Sequence, residues 1–270
     1  MASTGRGTAT ITFTGVGNLK FVFYVVSASE LLVMEDDTVG NPLVAGQVLQ
    51  QSGSFTDASL DGVSVIELQS LGTGGTLPTV TAGLLTTTGN SGTSTLSADQ
   101  NQAGTLGSLS LSGNFSTSSN GRVSIVSNGQ PSPLVLYMIA PNQAFVVGTD
   151  LGVSSGVLDP QSGSNFTASS LTGAYLGGSL QPVDPNVGEN VDDLQANGGG
   201  AFTGTSDLNG SGGTSTNSIA WTYTVASDGR VVVTQSGAQV GIIYMISDTQ
   251  LVFVPASTSD TNPALAQFQH

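Results

Sequence analysis

Cysteine is absent from all 270 residues, so neither a disulfide framework nor thiolate chemistry is open to this chain. The only histidine is His270, the last residue, which removes histidine-based triads and histidine metal sites. Cations are almost as scarce: Lys20, Arg6, Arg122 and Arg230 face 18 acidic residues, for a net charge of −14. Phosphate neutralisation needs clustered lysine and arginine, so a nucleic-acid partner is excluded, and an anionic membrane surface is disfavoured for the same reason. No apolar stretch approaches the 18 residues of a membrane-spanning helix, and no signal peptide opens the chain.

What remains is a chain rich in Ser, Thr, Asn and Gln, with 37 glycines and 38% hydrophobic residues. Thr is β-branched and suits a pleated backbone, so uncharged hydroxyl-rich surfaces of this kind point to β-sheet. In Leu109-Ser-Leu-Ser-Gly-Asn-Phe115 and Trp221-Thr-Tyr-Thr-Val225 the apolar residues alternate, which leaves one buried face per strand.

Internal similarity organises the rest. Tyr24 to Val33, Tyr137 to Val146 and Tyr244 to Phe253 align without gaps as apolar strand, polar turn, apolar strand. Upstream of each stands a turn anchor: Ser3-Thr-Gly-Arg6, Ser119-Asn-Gly-Arg122 and Ser227-Asp-Gly-Arg230. Phe55-Thr-Asp-Ala-Ser-Leu60 and Phe166-Thr-Ala-Ser-Ser-Leu171 mark unit starts. The unit is about 110 residues long, which gives the second half of a unit over 1–52 and complete units over 53–161 and 162–270. Met1 then falls at a mid-strand position, as expected of a window from a longer array. Alternatively, another molecule completes the half unit by strand complementation.

About eight short strands per unit predict an all-β fold of tandem small antiparallel barrels, up-and-down and lipocalin-like, or else β-sandwiches. The Tyr24, Tyr137 and Tyr244 strands break the alternation, being apolar at every position from Phe21 to Val26, Leu134 to Ala140 and Gly241 to Ile246. A strand apolar on both faces is normally covered on both. One face can fill its barrel. The other needs a neighbouring unit or another chain, unless the strand is a sandwich corner buried within its own unit.

These motifs resemble those of large secreted repeat proteins of acidobacteria. Ser3 to Arg6 followed by Gly7-Thr-Ala-Thr-Ile-Thr12 is similar to that family's pattern, as is Phe21 to Leu32. The third unit departs from it with Val231-Val-Val after the arginine. The resemblance covers nearly the whole chain and implies export and a cell-surface or extracellular role. It supplies no catalytic residues.

Candidate chemistry is thin. Glu35, Asp36 and Asp37, and separately Asp184, Glu189, Asp192 and Asp193, offer oxygen ligands suited to calcium, or a glycosidase-like carboxylate pair, although neither loop recurs in the other units. Three of the four cations, Arg6, Arg122 and Arg230, occupy one repeat position, where a guanidinium can satisfy turn carbonyls or a nearby carboxylate. Trp221, Tyr223 and Tyr175 are candidates for a ligand pocket or for core packing. The expectation is therefore a protein without enzymatic activity or obligatory cofactor. It would be a structural or filament-forming chain that associates with itself or packs unit on unit. The alternative is a lipocalin-like or lectin-like module binding an apolar ligand or glycan.

Overall fold

The computed structural model describes residues 2–15, 17–36, 45–179, 189–210, 212–258 and 261–270. The chain divides into two compact units, Met1–Gly53 and Ser54–His270.

The first unit is one antiparallel sheet of β1 (Arg6–Phe13), β2 (Gly17–Ser27), β3 (Glu30–Glu35) and β4 (Ala45–Leu49), paired in chain order.

The second unit holds two closed eight-stranded barrels. The first barrel runs through β5 (Gly62–Ser70), β6 (Thr79–Thr88), β7 (Thr93–Gln102), β8 (Thr105–Thr117), β9 (Arg122–Ser127), β10 (Leu134–Ala140), β11 (Gln143–Gly148) and β12 (Ser155–Pro160). The other runs through β13 (Thr172–Ser179), β14 (Glu189–Asn197), β15 (Ala201–Gly210), β16 (Gly213–Val225), β17 (Arg230–Gln235), β18 (Ala238–Met245), β19 (Gln250–Pro255) and β20 (Ala266–Gln269). Each strand pairs antiparallel with its sequence neighbours, and β12 on β5 and β20 on β13 close the two circles. The all-β expectation thus resolves to up-and-down barrels rather than sandwiches. Closure removes the free sheet edges of both barrels, while the four-stranded sheet of the first unit keeps its edges at β1 and β4.

Alternation builds each core. Ile66, Leu85, Leu96, Phe115, Ile125, Leu136 and Met138 point into the first barrel. Tyr175, Leu194, Phe202, Tyr223, Ile243, Met245 and Phe268 fill the second. At roughly 1.5–3 kcal/mol for each fully buried large side chain, these two interiors dominate stability. The repeated Phe-Thr-x-x-Ser-Leu motif folds as a short 3-10 turn in both barrels. The Thr56 and Thr167 amides donate to Ser59 Oγ and Ser170 Oγ, each at 3.1 Å. Phe55 with Leu60, and Phe166 with Leu171, join the respective cores.

The Ser-x-Gly-Arg anchors also share one geometry. Gly5, Gly121 and Gly229 sit at φ +78°, +81° and +91°, which a side chain would strain. Their carbonyls accept from the amides of Val25, Met138 and Met245 at 2.9–3.0 Å, tying each turn to the Tyr-bearing strand beside it. In consequence Arg6 pairs across strands with Tyr24, Arg122 with Tyr137, and Arg230 with Tyr244.

Candidate functional site: the clasp between the barrels and the cup of the first

Strand β18 is covered on both faces. Ile243 and Met245 enter its own barrel, while Tyr244, Ile242 and Ile246 face outward. There they pack, with Val252, Val254 and Leu265, against Val65, Val80, Ala82 and Leu84 on the outside of the first barrel. β6 is doubly covered in the same way, since Leu85 turns inward from the strand that carries Val80, Ala82 and Leu84 outward.

Asp99 on β7 lies at the centre of this interface and is 2% exposed. Arg230 grips it with two bonds, Nε to Oδ2 at 2.6 Å and Nη2 to Oδ1 at 2.9 Å. Tyr244 Oη donates to Oδ2 at 2.6 Å, and Ser108 Oγ to Oδ1 at 3.2 Å. Burial pulls the carboxyl upward, but these donors and the guanidinium charge outweigh it and hold Asp99 below the usual carboxylate range. The same bonds push Arg230 still higher, while burial and then Asp99 raise the Tyr244 phenol. All three groups keep fixed charge states near neutral pH. A buried carboxylate with every lone pair used this way is a positioning device as well as a source of attraction.

Further bonds surround the clasp. Asn101 Nδ2 donates to the Pro255 carbonyl at 2.7 Å. Gln161, just past β12, donates from Nε2 to the carbonyls of Asp228 and Met245 at 2.9 and 2.8 Å. Gln267 Nε2 donates to both oxygens of the buried Glu67, at 3.0 and 2.8 Å. Glu67 is pushed up to about 7, chiefly by burial and with help from Asp159, against the lowering effect of the Gln267 bonds.

The first barrel also holds an open cup of about 390 Å³. Leu68, Leu96, Leu109 and Leu111 line it, with Gln100, Gln102, Ser127 and Gln130 as polar groups. Tyr175 and Tyr223 lie elsewhere, buried in the core of the second barrel. Their hydroxyls donate to the carbonyls of Asp248, at 2.5 Å, and Leu171, at 3.2 Å. Trp221 stacks on Phe253 at 5.7 Å in the same core.

The acidic candidates do not converge. Asp37 and Asp184 lie outside the described residues. Glu35 is buried and Asp36 exposed on the first sheet. On β14 the alternation turns Asp192 into the barrel, where Asn190 donates to its Oδ2 at 2.5 Å, and sends Glu189 and Asp193 to the outer face. Among the described residues no group of three or more acidic, histidine or cysteine side chains could hold a metal ion.

Sequence reasoning singled out Arg230 and Tyr244 but missed Asp99 and the receiving face of β5 to β7. Within Thr79-Val-Thr-Ala-Gly-Leu-Leu85 the alternation gave the wrong face, because Thr79 and Thr81 turn into the barrel and the apolar Val80, Ala82 and Leu84 turn out. Nothing in the sequence joined Asp99 to an arginine 131 residues away.

No protein-family model matches the sequence, and no curated protein is similar to it. Among solved structures, a protein of unknown function from the DUF3598 family of Nostoc punctiforme is similar at 12% identity and a TM-score of 0.25, covering 78% of this chain and 95% of its own. Kievitone hydratase from Nectria haematococca is similar at 8% identity and a TM-score of 0.27, covering 79% of this chain and 91% of its own. That neighbour is an enzyme by name, and a fold leaves activity open where short motifs are missing, so the expectation of a protein without enzymatic activity is withdrawn. At these scores neither likeness transfers a reaction or a residue role. Among the described residues no helix is long and apolar enough to cross a membrane, which leaves membrane crossing by strands unaddressed.

Proposed function

We propose that this chain is a structural assembly protein of the cell surface or extracellular space, built from β-barrel units that pack face on face. The acidobacterial resemblance of its motifs supports the location. The observation that carries the assembly reading is the clasp. An outward arginine and tyrosine, placed by a turn anchor that occurs three times in the chain, lock onto a buried carboxylate of the adjacent barrel. A protein whose barrels served only as separate containers would have no need to cover both faces of β6 and β18. Electron microscopy of the purified full chain at high concentration tests the reading. End-to-end assemblies are expected, and a field of isolated particles alone overturns it.

A second reading rests on the cup of the first barrel. Its size and its mix of leucine with glutamine and serine suit a small uncharged molecule with an apolar body. Titration with a hydrophobic fluorescent probe tests it. Binding that is lost in Leu96→Trp supports a ligand site, and binding unaffected by that variant removes the cup from consideration.

A further inference from the structure

The clasp has two halves, and each recurs in the chain outside it. One further arginine–tyrosine half is on the first barrel, where Arg122 is exposed and its cross-strand partner Tyr137 is 47% exposed, against 1% for Tyr244. The spare carboxylate half is on the second barrel and is found by strand register. Asp99 lies opposite Ala82 on one side and Ser108 on the other. Asp207 lies opposite Val191 and Thr216 in the same sense. Thr216 Oγ1 donates to Asp207 Oδ1 at 2.5 Å, as Ser108 does to Asp99, so the vacant carboxylate is already turned by the same neighbour.

The surroundings match as well. Leu176 stands at the position of Val65 and Val191 at that of Ala82, and these two are 63% and 68% exposed where their counterparts are fully buried. Asn209 stands at the position of Asn101, opposite Glu189 as Asn101 is opposite Val80. A groove of about 550 Å³ runs between Val191, Asp207 and Thr216. Exposed leucine and valine around a pre-oriented carboxylate are what the first barrel offers Arg230, without the occupant.

We propose that the Arg122–Tyr137 face of one copy docks onto the Asp207 face of a second copy of this chain, repeating between molecules the contact that joins the two barrels within one. This deepens the assembly reading and rests on it. The two faces belong to different barrels and are not self-complementary, so the contact is heterologous and leaves a free face at each end. Glu189 and Asp193 replace Val80 and Leu84 on the receiving side, which makes the contact between copies less apolar than the one within a chain. It is accordingly the weaker of the two.

Charge reversal in the full chain gives the test, with Arg6→Asp in every sample to remove the equivalent pair of the first sheet. Sedimentation at about 0.1 mM and fixed salt should show Arg122→Asp and Asp207→Arg each as monomers, with unchanged melting temperatures. An equimolar mixture, which retains one intact face of each kind and sets the two reversed charges against each other at the other contact, should associate into dimers and longer oligomers. The absence of cysteine allows a second readout. Tyr137→Cys mixed with Val191→Cys should form a disulfide-linked dimer at least tenfold faster than Tyr137→Cys mixed with Leu151→Cys, whose Leu151 lies off the proposed face. A mixture that stays monomeric, with no preference between the cysteine pairs, overturns the proposal. If the parent chain still assembles under the microscope, only this pairing fails and the wider reading survives.

Discussion

The two barrels carry the same arginine–tyrosine pair in the same register, yet one pair is sealed and the other is open. Tyr244 and Arg230 meet a carboxylate, an apolar rim and a linker glutamine. Tyr137 and Arg122 project from an equally apolar strand, with the Tyr137 ring half in solvent. The alternation of the two strands does not account for the difference, because both point alternate residues into the apolar core of their own barrel. It lies in whether a receiving face is present. The acceptor that Arg230 and Tyr244 share lies on the neighbouring barrel, not on their own.

The comparison can be broken most strongly at the carboxylates. Asp99→Ala should destabilise the Ser54–His270 unit by about 3–5 kcal/mol in urea unfolding, since it leaves the buried Tyr244 hydroxyl without its acceptor and removes both charged bonds of Arg230. Asp207→Ala, at the equivalent but vacant position, should change stability by less than about 0.5 kcal/mol. Similar losses at both sites would erase the distinction.

A smaller effect comes from pH. Glu67 has a folded-state pKa raised to about 7 from an ordinary 4.5, so the folded state holds its proton more tightly than the unfolded chain does. The resulting stability is complete below the unfolded value and is lost as pH rises through about 7. Asp99 has the opposite sign, because its contribution is present above the ordinary carboxylate range and fades as pH falls toward its lowered value. The interface should be firmest in mildly acidic solution. Glu67→Gln should abolish much of the loss between pH 5 and pH 8, up to roughly 3 kcal/mol. Identical pH profiles for parent and variant would show that Glu67 is ionised throughout.

Smaller again is the hydroxyl. Tyr244→Phe removes one donor from Asp99 and keeps the ring, at an expected cost of about 1–2 kcal/mol. Tyr137→Phe should be neutral within error in dilute solution. The pair of variants separates the hydrogen bond from the ring packing that both tyrosines provide.

Much of this fold was legible from residues alone. The period-two alternation, the Gly-bearing turns and the gapless Tyr alignments together point to short antiparallel strands, about eight to a unit, with closure into barrels rather than sandwiches supplied by the structure. The doubly apolar stretch Gly241 to Ile246 announced a second covering layer. What covers it was hidden, because a barrel's outer face reads as ordinary surface until the docked partner is known. Asp99 sits among Ser, Asn and Gln on a strand that looks solvent-facing. The acidic clusters misled for a related reason: Glu189, Asp192 and Asp193 are close in sequence, but the strand period sends Asp192 to the opposite side from the other two. The step from missing motifs to missing catalysis was the weakest, since a barrel fold hosts its chemistry in sites that need no short signature.

The central claim is that arginine and aspartate at equivalent repeat positions hold one barrel to the next. A double-mutant cycle on Arg230 and Asp99, using Arg230→Met and Asp99→Asn in urea unfolding of the full chain, measures it most directly. The account predicts a coupling of at least about 1.5 kcal/mol for this doubly bonded pair, in which Asp99 is buried and Arg230 partly so. A coupling below about 0.5 kcal/mol would mean that the two side chains merely lie close together, and that the apolar rim alone joins the barrels.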